Sequence, residues 1–305
     1  MLDKFILNKF IYLFKIGCLT EKPFSTIKNI IIIIFADFFK LKIKYLATLN
    51  KSKFYYTYQP YAETGLGGRG QFILREFYDK FFFIGHKILP KNFNFIDVGC
   101  SRGFFSLYLL GLKNFSCKGL CIDPQKNALI DFKEILKLNK KKNIKIINGV
   151  ISNKSKKKLP VYKVSTRGYF SIYKDTPCAD PNIDFNNNFF ESRSYTIDEI
   201  IIKRKLLANI KFIKIDAEGA EYEILESSTR TIAKFKPIFY CEVTRKQNKI
   251  IKFFKDKNYV LFKFHEKKLV TYNRKNFEGE LLAVHKKDIK KILFTVGHSV
   301  IKNNL

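Results

Sequence analysis

The sequence predicts an α/β protein built on an open, mostly parallel β-sheet with helices packed on its faces. From about residue 93 onward, short runs of β-branched and aromatic residues alternate with segments of helical periodicity, which is the pattern of strands joined by crossover helices. The chain has 305 residues, of which 46% are hydrophobic, so it can bury one large core. We therefore expect one main domain over residues 61–290, preceded by an extension over residues 1–60 and followed by a tail over residues 291–305.

Seven strands and one clear crossover helix can be placed along this domain. The predicted strands are 93–98, 119–122, 144–147, 212–215, 238–242, 260–264 and 281–285. Apolar residues at helical spacing predict an amphipathic helix that carries Pro124 near its first turn; they are Ala128, Leu129, Phe132, Ile135 and Leu136. The polar stretch of residues 152–193 predicts a long insertion between the third and fourth strands.

The first sixty residues combine apolar runs with many lysines. The run over residues 30–39 is interrupted by Asp37 and is shorter than the ~20 residues that a transmembrane helix requires. Asp3 and Lys4 break the start of the chain, and no small-residue cleavage site follows, so no secretory signal is predicted. We expect a helical extension, a pair of amphipathic helices packed on the domain or on a second subunit. A basic, apolar anchor on an anionic membrane surface is the alternative.

Composition limits the class of partner and the compartment. The formal net charge is +30, but the basic residues are 48 Lys and only 9 Arg. Proteins that recognise phosphates or base edges specifically rely on arginine, whose guanidinium forms bidentate hydrogen bonds. This lysine-rich charge therefore indicates first a solvated surface, and nucleic-acid binding is the weaker alternative. The six cysteines are scattered without the spacing of a zinc site, which favours a reduced, cytoplasmic protein.

A glycine loop follows the first predicted strand. It reads DVGCSRG from Asp97 to Gly103 and precedes the helical segment FFSLYLL. A chain that turns sharply from strand to helix and lets a ligand touch its backbone needs glycine at the contact points, here Gly99 and Gly103. An acidic residue two positions before the first glycine narrows the ligand to nucleotide-like molecules. Cys100 and Ser101 complete the candidate loop contacts. By contrast, TGLGGRG at residues 64–70 follows no apolar strand and is expected to form a flexible turn.

A carboxylate ends the second strand, 24 residues beyond Gly99. Asp123 stands where an acid can accept both ribose hydroxyls of an adenosyl group. A nicotinamide dinucleotide would fit the loop and this acid equally well, and Asp123 alone could instead cap the following helix. Asn148 and Gly149, at the end of the third strand, are further candidate cofactor contacts.

Three acids follow the fourth strand in the segment FIKIDAEGAEYEIL. Asp216, Glu218 and Glu221 lie within six residues, and at least Asp216 is expected at the carboxyl edge of the sheet, where open α/β folds bind ligands. Clustered carboxylates raise the pKa of a member or recruit a cation, and either outcome suits a site that accepts a proton. The alternative is that these acids stabilise the N-terminus of a helix by interacting with its dipole. This alternative explains Glu218 and Glu221 better than it explains Asp216.

These motifs together resemble the FkbM family of methyltransferases. The resemblance rests on DVGCSRG, IDP, TIDEI, KIDAEGAEYEIL and the glutamate-bearing strand IFYCEV, and it covers roughly residues 70–286. The KIDAEGAE segment is the most specific feature. The chain has Cys100 and Ser101 where the family usually has Ala and Asn, and Asp123 where many members have Glu.

The resemblance implies a class I methyltransferase fold, Rossmann-like with a seven-stranded sheet, and S-adenosylmethionine as methyl donor. It also implies transfer to oxygen, with a sugar, glycan or other small polyhydroxylated molecule as acceptor. A hydroxyl needs a base, for which Asp216 is the first candidate, Glu218 the second and His265 the reserve. A divalent cation held by Asp216, Glu218 and Glu242 is an alternative to the base.

The insertion and two other functions complete these expectations. Residues 165–193 are expected to form part of the acceptor pocket; the suitable side chains there are Tyr169, Phe170, Tyr173 and Arg193. An RNA ribose methyltransferase is the first competing function, because Lys214 precedes Asp216 closely. The second is a non-catalytic basic adaptor for a membrane or a partner on the same fold.

Overall fold

The computed structural model describes residues 41–49, 51–58, 81–155, 157–165, 168–203, 207–265, 268–272 and 279–296, with a few positions between 28 and 39. The glycine run at 64–70 and most of the predicted N-terminal helices lie outside these residues.

Strands dominate the described part of the chain. They are β1 Ile43–Leu49, β2 Ser52–Tyr58, β3 Asn92–Val98, β4 Ser116–Asp123, β5 Ile144–Asn148, β6 Val150–Ile151, β7 Lys158–Lys163, β8 Phe170–Ser171, β9 Phe189–Tyr195, β10 Ile210–Ile215, β11 Ile238–Val243, β12 Tyr259–His265, β13 Lys268–Thr271 and β14 Gly279–His285.

Seven α-helices accompany them in the described residues. They are α1 Phe81–Ile88, α2 Phe104–Gly111, α3 Lys126–Leu138, α4 Glu221–Glu226, α5 Thr229–Phe235, α6 Gln247–Asp256 and α7 Ile289–Val296, with a π-helical turn at Glu199–Lys203 and a 3-10 turn at Lys286–Asp288. The five apolar residues predicted for the crossover helix are the buried residues of α3. No helix in the described ranges is both long enough and apolar enough to cross a bilayer.

The centre of the fold is an eight-stranded sheet in the order β13-β12-β14-β11-β10-β3-β4-β5. The strands from β11 to β5 run parallel, and β14 lies antiparallel between β11 and β12. All seven predicted strands are present, in the order of a class I methyltransferase, so the predicted fold class is confirmed. The eighth strand, β13, forms a hairpin with β12. It was not predicted because its run KLVT is short and begins with lysine.

Alternating side chains along the sheet separate two cores. Phe93 and Phe95 of β3 join a cluster rich in aromatic residues, whereas Ile96 and Val98 of the same strand join an aliphatic cluster on the other face. In the aromatic core, the rings of Phe105 and Phe212 are stacked with centroids 5.8 Å apart. Both faces are therefore covered, and ligands can reach the sheet only at its edges.

The N-terminal extension is helical at the described positions 28, 31, 32, 35 and 36, as predicted, but strands β1 and β2 form a β-hairpin where helix was also predicted. β1 pairs with β2 in antiparallel register, from Ile43 opposite Tyr58 to Leu49 opposite Ser52. Tyr45, Ala47 and Leu49 are buried, and the residues between them are more exposed. This two-residue alternation is the period of a strand with one buried face, and it outweighs the general apolar character that suggested amphipathic helices.

The insertion forms a small sheet of its own. β7 lies between β8 and β9, and β9 also pairs with β6, which directly follows the central strand β5. The predicted insertion at 152–193 is thus present as paired strands joined by polar turns. In one such turn, the carboxylate of Asp184 accepts hydrogen bonds from the backbone N–H of Asn186 and the side-chain amide of Asn187. The Asn-rich composition reflects this turn chemistry.

Arg102 joins the glycine loop to the hairpin. Its side chain is fully buried, and its guanidinium donates to the hydroxyl of Thr57 at 2.8 Å and to the carbonyl of the same residue at 3.2 Å. Its Nε lies 3.1 Å from a carboxylate oxygen of Asp131 in α3, and its guanidinium lies over the ring of Tyr56. A buried guanidinium needs such a counter-charge, because its desolvation is otherwise uncompensated.

This arrangement predicts an asymmetric double-mutant cycle. We expect Asp131→Ala to lower the free energy of unfolding by about 3 kcal/mol, because a buried charge is left without its acid. The double variant Arg102→Met, Asp131→Ala should lose less free energy of unfolding than Asp131→Ala alone, because it has no buried charge without a partner. Unfolding in guanidinium chloride measures both variants. A loss below about 0.5 kcal/mol for Asp131→Ala would mean that the pair behaves as a surface ion pair.

Candidate active site

A cavity of about 660 Å³ lies at the carboxyl ends of β3, β4, β10 and β11. Its wall includes the glycine loop, the ends of these strands and the insertion sheet. This is the edge at which open α/β sheets bind ligands. The cavity is therefore the candidate active site.

The glycine loop is shaped by contacts between neighbouring elements. Gly99 has a φ of 74°, and a Cβ there would overlap the backbone carbonyl oxygen of Asp216. Gly103 also has a φ of 74° and begins α2, where a Cβ would overlap the ring of Phe132. Both glycines are thus required by local packing as well as by any ligand, and Gly99 allows the loops after β3 and β10 to touch.

Asp123 faces the cavity from the end of β4. It is 4% exposed, and its two carboxylate oxygens accept the backbone N–H groups of Ser101 and Gln125, each at 2.8 Å. Burial raises the pKa of Asp123 to about 6, although these two hydrogen bonds act in the opposite direction. A carboxylate has about four acceptor positions, so two remain for the hydroxyls of a ribose.

The other predicted cofactor contacts divide into two groups. Gly99, Ser101 and Gly149 line the cavity with Asp123. The rest lie behind it in supporting positions; they are Asp97, Cys100, Gly103 and Asn148.

These supporting residues brace the loops that form the cavity wall. Asp97 accepts a hydrogen bond from Ser106 Oγ at 2.6 Å, and Asn148 Nδ2 donates to the backbone carbonyl of Asp123 at 3.1 Å. Cys100 is buried, and its burial raises the pKa of its thiol. The loops predicted from the sequence meet at this cavity, but the sequence could not tell which of their side chains line it.

The acids of the KIDAEGAE segment surround a buried lysine. Lys214 Nζ lies 2.8 Å from Asp216 Oδ2 and 3.8 Å from Asp97 Oδ1. Glu242 lies beside Asp216 because the two residues follow paired positions of β10 and β11. Asp216, Glu218 and Glu242 can each bring an oxygen within 4.8 Å of the other two. Lys214 supplies a positive charge at this cluster.

Each acid of this cluster has a different protonation behaviour. The negative charge of Asp216 is the main reason that the pKa of Glu242 rises to about 10, followed by burial and by a hydrogen bond between the two side chains. At neutral pH, Glu242 is therefore protonated. Burial, and then the charge of Asp216, raise the pKa of Glu218 to about 7. Among Asp123, Glu218 and Glu242 of the cavity wall, Glu218 has the pKa nearest to neutral.

Glu221 has a structural position. It is fully buried outside the cavity wall, and its Oε1 accepts the backbone N–H of Gly219 at 2.7 Å. Its Oε2 accepts the hydroxyl of Thr244 at 3.3 Å. Burial raises the pKa of Glu221 to about 7. The third acid of the motif therefore holds the turn that presents Glu218.

His265 lies far from this cluster along the sheet. It ends β12, which is separated from β10 by β14 and β11, so about 14 Å separates the two strands at ~4.8 Å per step. The side chain of His265 lies outside the described residues, so its role as reserve base stays a prediction.

The insertion contributes one side of the cavity. Tyr169 and Phe170 line it as expected, whereas the hydroxyl of Tyr173 donates to Glu223 at 2.7 Å and the guanidinium of Arg193 lies over the ring of Tyr195.

Several residues of the cavity wall carry no sequence signal that could have found them. They are Ser171, Cys178, Thr244 and Glu280. Glu280, for example, reaches the site only because β14 pairs with β11 and sets it opposite Glu242.

Comparison with known proteins identifies the family. A model of the methyltransferase FkbM domain matches residues 97–261, more than half of the chain. The chain belongs to the FkbM methyltransferase family. The predicted family and the methyltransferase class of enzyme are therefore confirmed. No curated protein matches the chain.

Solved structures similar to this FkbM family member are distant in sequence. The FkbM methyltransferase from Methylobacillus flagellatus KT is 14% identical with a TM-score of 0.43, and the match covers 69% of this chain and 52% of that one. The chain thus spans about half the length of that protein. SMU.1697c, a putative methyltransferase from Streptococcus mutans in complex with SAH, is 13% identical with a TM-score of 0.39, and the match covers 69% and 96% of the two chains. Fibrillarin from Aeropyrum pernix, bound to S-adenosyl-L-methionine, is 11% identical with a TM-score of 0.36 and coverages of 64% and 68%.

S-adenosylmethionine is the cofactor of this FkbM methyltransferase, as predicted from its membership of the family. The residues present fit it. Asp123 presents a buried carboxylate with acceptor positions to spare, beside the backbone of Gly99 and Ser101. The cavity has room for a ligand larger than a nucleoside.

For this FkbM protein, we expect Asp123→Ala to weaken the binding of S-adenosylhomocysteine about tenfold or more, because the ribose hydroxyls lose a charged acceptor. In the wild type, the affinity should fall as the pH falls through about 6, because only the ionised carboxylate accepts both hydroxyls. Isothermal titration calorimetry from pH 5 to pH 8 measures both effects, with Asp184→Ala in the insertion as a matched control. An unchanged dissociation constant for Asp123→Ala would remove Asp123 from the cofactor site.

Proposed function

We propose that this protein transfers the methyl group of S-adenosylmethionine to a hydroxyl oxygen of a sugar, a glycan or another small polyhydroxylated acceptor. One observation carries the proposal. A carboxylate whose pKa is about 7, Glu218, lines the same cavity as the candidate ribose acceptor Asp123. A hydroxyl is a poor nucleophile at neutral pH, so a base of this kind distinguishes transfer to oxygen from transfer to better nucleophiles.

Glu218 ranks ahead of Asp216 as the base. A general base works best when its pKa lies near the working pH, which is the case for Glu218. Asp216 already receives a hydrogen bond from Lys214 at 2.8 Å and another from Glu242, so its lone pairs are less available to a substrate proton. The charge of Asp216 in turn makes Glu218 more basic. We therefore assign Asp216 the role of tuning its neighbour.

The mechanism requires little more than alignment and one proton transfer. Bound S-adenosylmethionine supplies an electrophilic methyl group. The cavity wall would hold the acceptor hydroxyl beside that group, and Glu218 would accept the hydroxyl proton. The bond between the methyl carbon and sulfur would break as the bond to oxygen forms, and S-adenosylhomocysteine would be the leaving group. Glu242 is protonated at neutral pH and therefore adds no further negative charge beside Asp216 and Glu218.

The cavity supports an acceptor of small size with hydroxyl groups. Its volume of about 660 Å³ has to hold the cofactor as well as the acceptor, which limits the acceptor to a small molecule or the end of a longer one. Phe170 and Tyr169 offer aromatic rings on which a sugar can stack, and carboxylates accept its hydroxyls.

RNA ribose methylation is the second candidate, supported by the close pair of Lys214 and Asp216 and by the net charge of +30. The cavity wall weakens this case. Lys214 is its one basic residue among those described, whereas the negative charges of Asp123 and Asp216 repel phosphate at neutral pH.

A panel of acceptors tests the proposal. The protein is incubated with radiolabelled S-adenosylmethionine and monosaccharides, oligosaccharides, total RNA or anionic vesicles. Label in a base-stable ether on a sugar supports it. Label in RNA alone would favour the second candidate. Binding of vesicles with no transfer to any acceptor would favour an adaptor.

Glu218→Gln should lower the single-turnover rate on the identified acceptor by about 10²- to 10⁴-fold, since the variant keeps the shape of the side chain and removes the base. The wild-type rate should rise as the pH rises through about 7, because Glu218 must be ionised to accept a proton. Rapid-quench measurements from pH 5.5 to pH 9 record both. Glu191→Gln, an exposed acid of the insertion, is the matched control.

Two results would contradict this assignment. If Glu218→Gln reacts at the wild-type rate and Asp216→Asn does not, then Asp216 is the base. If the wild type loses activity with a chelator and regains it with magnesium, then a cation, and not a base, activates the acceptor.

A further inference from the structure

The loop that carries Glu218 has a backbone that needs support. Glu218 has a φ of 48° and the following Gly219 a φ of 106°. Glycine adopts such values easily, but a residue with a side chain does so only where surrounding contacts hold it. The contacts that hold Glu218 therefore decide where its carboxylate lies.

Ser171 of the insertion holds the backbone of Glu218. Its hydroxyl donates to the carbonyl oxygen of Glu218 at 2.7 Å and accepts the backbone N–H of Tyr173 at 3.0 Å. Ser171 is 3% exposed, so water does not compete for these bonds. The hydroxyl of Ser171 has one proton, which it donates to the backbone carbonyl oxygen of Glu218. One of its lone pairs accepts the N–H of Tyr173, which fixes this orientation.

Cys178 of the insertion holds the side chain of the same residue. Its thiol lies 3.1 Å from Glu218 Oε2 as the donor and 3.2 Å from the hydroxyl of Thr176. Thr176 also packs against Gly219, where a Cβ would lie 3.3 Å from its methyl group. The segment from Ser171 to Cys178 thus contacts the loop at its backbone, at its glycine and at its carboxylate.

We propose that Ser171 and Cys178 are positioning residues of the methyl transfer, through which the insertion holds the backbone and the carboxylate of Glu218 in place. This inference rests on the proposed function, in which Glu218 is the base. It makes the insertion a working part of the active site as well as a wall for the acceptor. Both residues act through Glu218, Ser171 on its backbone carbonyl and Cys178 on its carboxylate.

The charged groups around Glu218 determine what each contact does. Asp216 on its own loop and Glu221 at the start of α4 both raise the pKa of Glu218, and Lys214 of β10 and the thiol of Cys178 lower it. Glu242 of β11 faces it in a protonated form. Burial is the largest effect and raises the pKa. Loss of the thiol should therefore raise the pKa of Glu218, and exposure of the Glu218 side chain to solvent should lower it.

The test measures the pKa of Glu218 directly in the full chain, by NMR titration of ¹³C-labelled glutamate carboxyl groups assigned with Glu218→Gln. We expect Cys178→Ala to raise this pKa by about one unit, because the ionised form loses a donor, and Cys178→Ser to restore it. Ser171→Ala should lower it towards the ordinary value, because the released side chain reaches solvent, and Ser171→Thr should restore it. Ser192→Ala, a buried serine of the same insertion outside the cavity wall, is the matched control.

Titration of each variant with S-adenosylhomocysteine separates this inference from the proposed function. Wild-type affinity in all variants, with the two opposite pKa shifts, supports the positioning role. A pKa of Glu218 that is the same in wild type, Cys178→Ala and Ser171→Ala overturns it, as does an equal shift in Ser192→Ala. Absence of cofactor binding in the wild type would instead contradict the proposed function itself.

Discussion

The close approach of two loops is the constraint on which this active site depends. Gly99 has no side chain, and the backbone carbonyl of Asp216 occupies the space that a Cβ would need. The backbone N–H of Asp216 also donates to the carbonyl of Val98 at 3.1 Å, which continues the pairing of β10 with β3 beyond the end of the strands. This contact brings the cofactor loop and the acidic loop into one cavity. The distance between donor and base is thus determined by the backbone.

The second feature is a separation of charge within a strongly basic protein. The chain carries a net charge of +30, yet the charged residues described in the cavity wall are five acids and one lysine. Removing carboxylates from water is costly, and this cost is the main reason that the pKa values of Asp123 and Glu218 are raised. For Glu242 the negative charge of Asp216 is the larger cause. A site that stores protons in this way can exchange one with a substrate at neutral pH, which a group of solvated surface acids could not do.

The central sheet was predictable from the sequence because each strand is a short apolar run that local periodicity reveals. The glycine loop, Asp123 and the KIDAEGAE acids were predictable for a related reason, since each directly follows such a strand. The register between strands was not, because it depends on pairing over long sequence distances; Glu280 reaches the site only through this register. The same limit explains the hairpin at residues 43–58 and the strands of the insertion, where polar turns hide the paired segments.

Arg102 gives the N-terminal hairpin a connection to the cofactor. Its side chain is bonded to Thr57 of the hairpin, and its neighbour Ser101 donates the backbone N–H that binds Asp123. Docking of the hairpin and binding at Asp123 therefore share one short stretch of backbone. By thermodynamic linkage, if docking of the hairpin increases the affinity for the cofactor, then binding of the cofactor stabilises the docked hairpin by the same free energy.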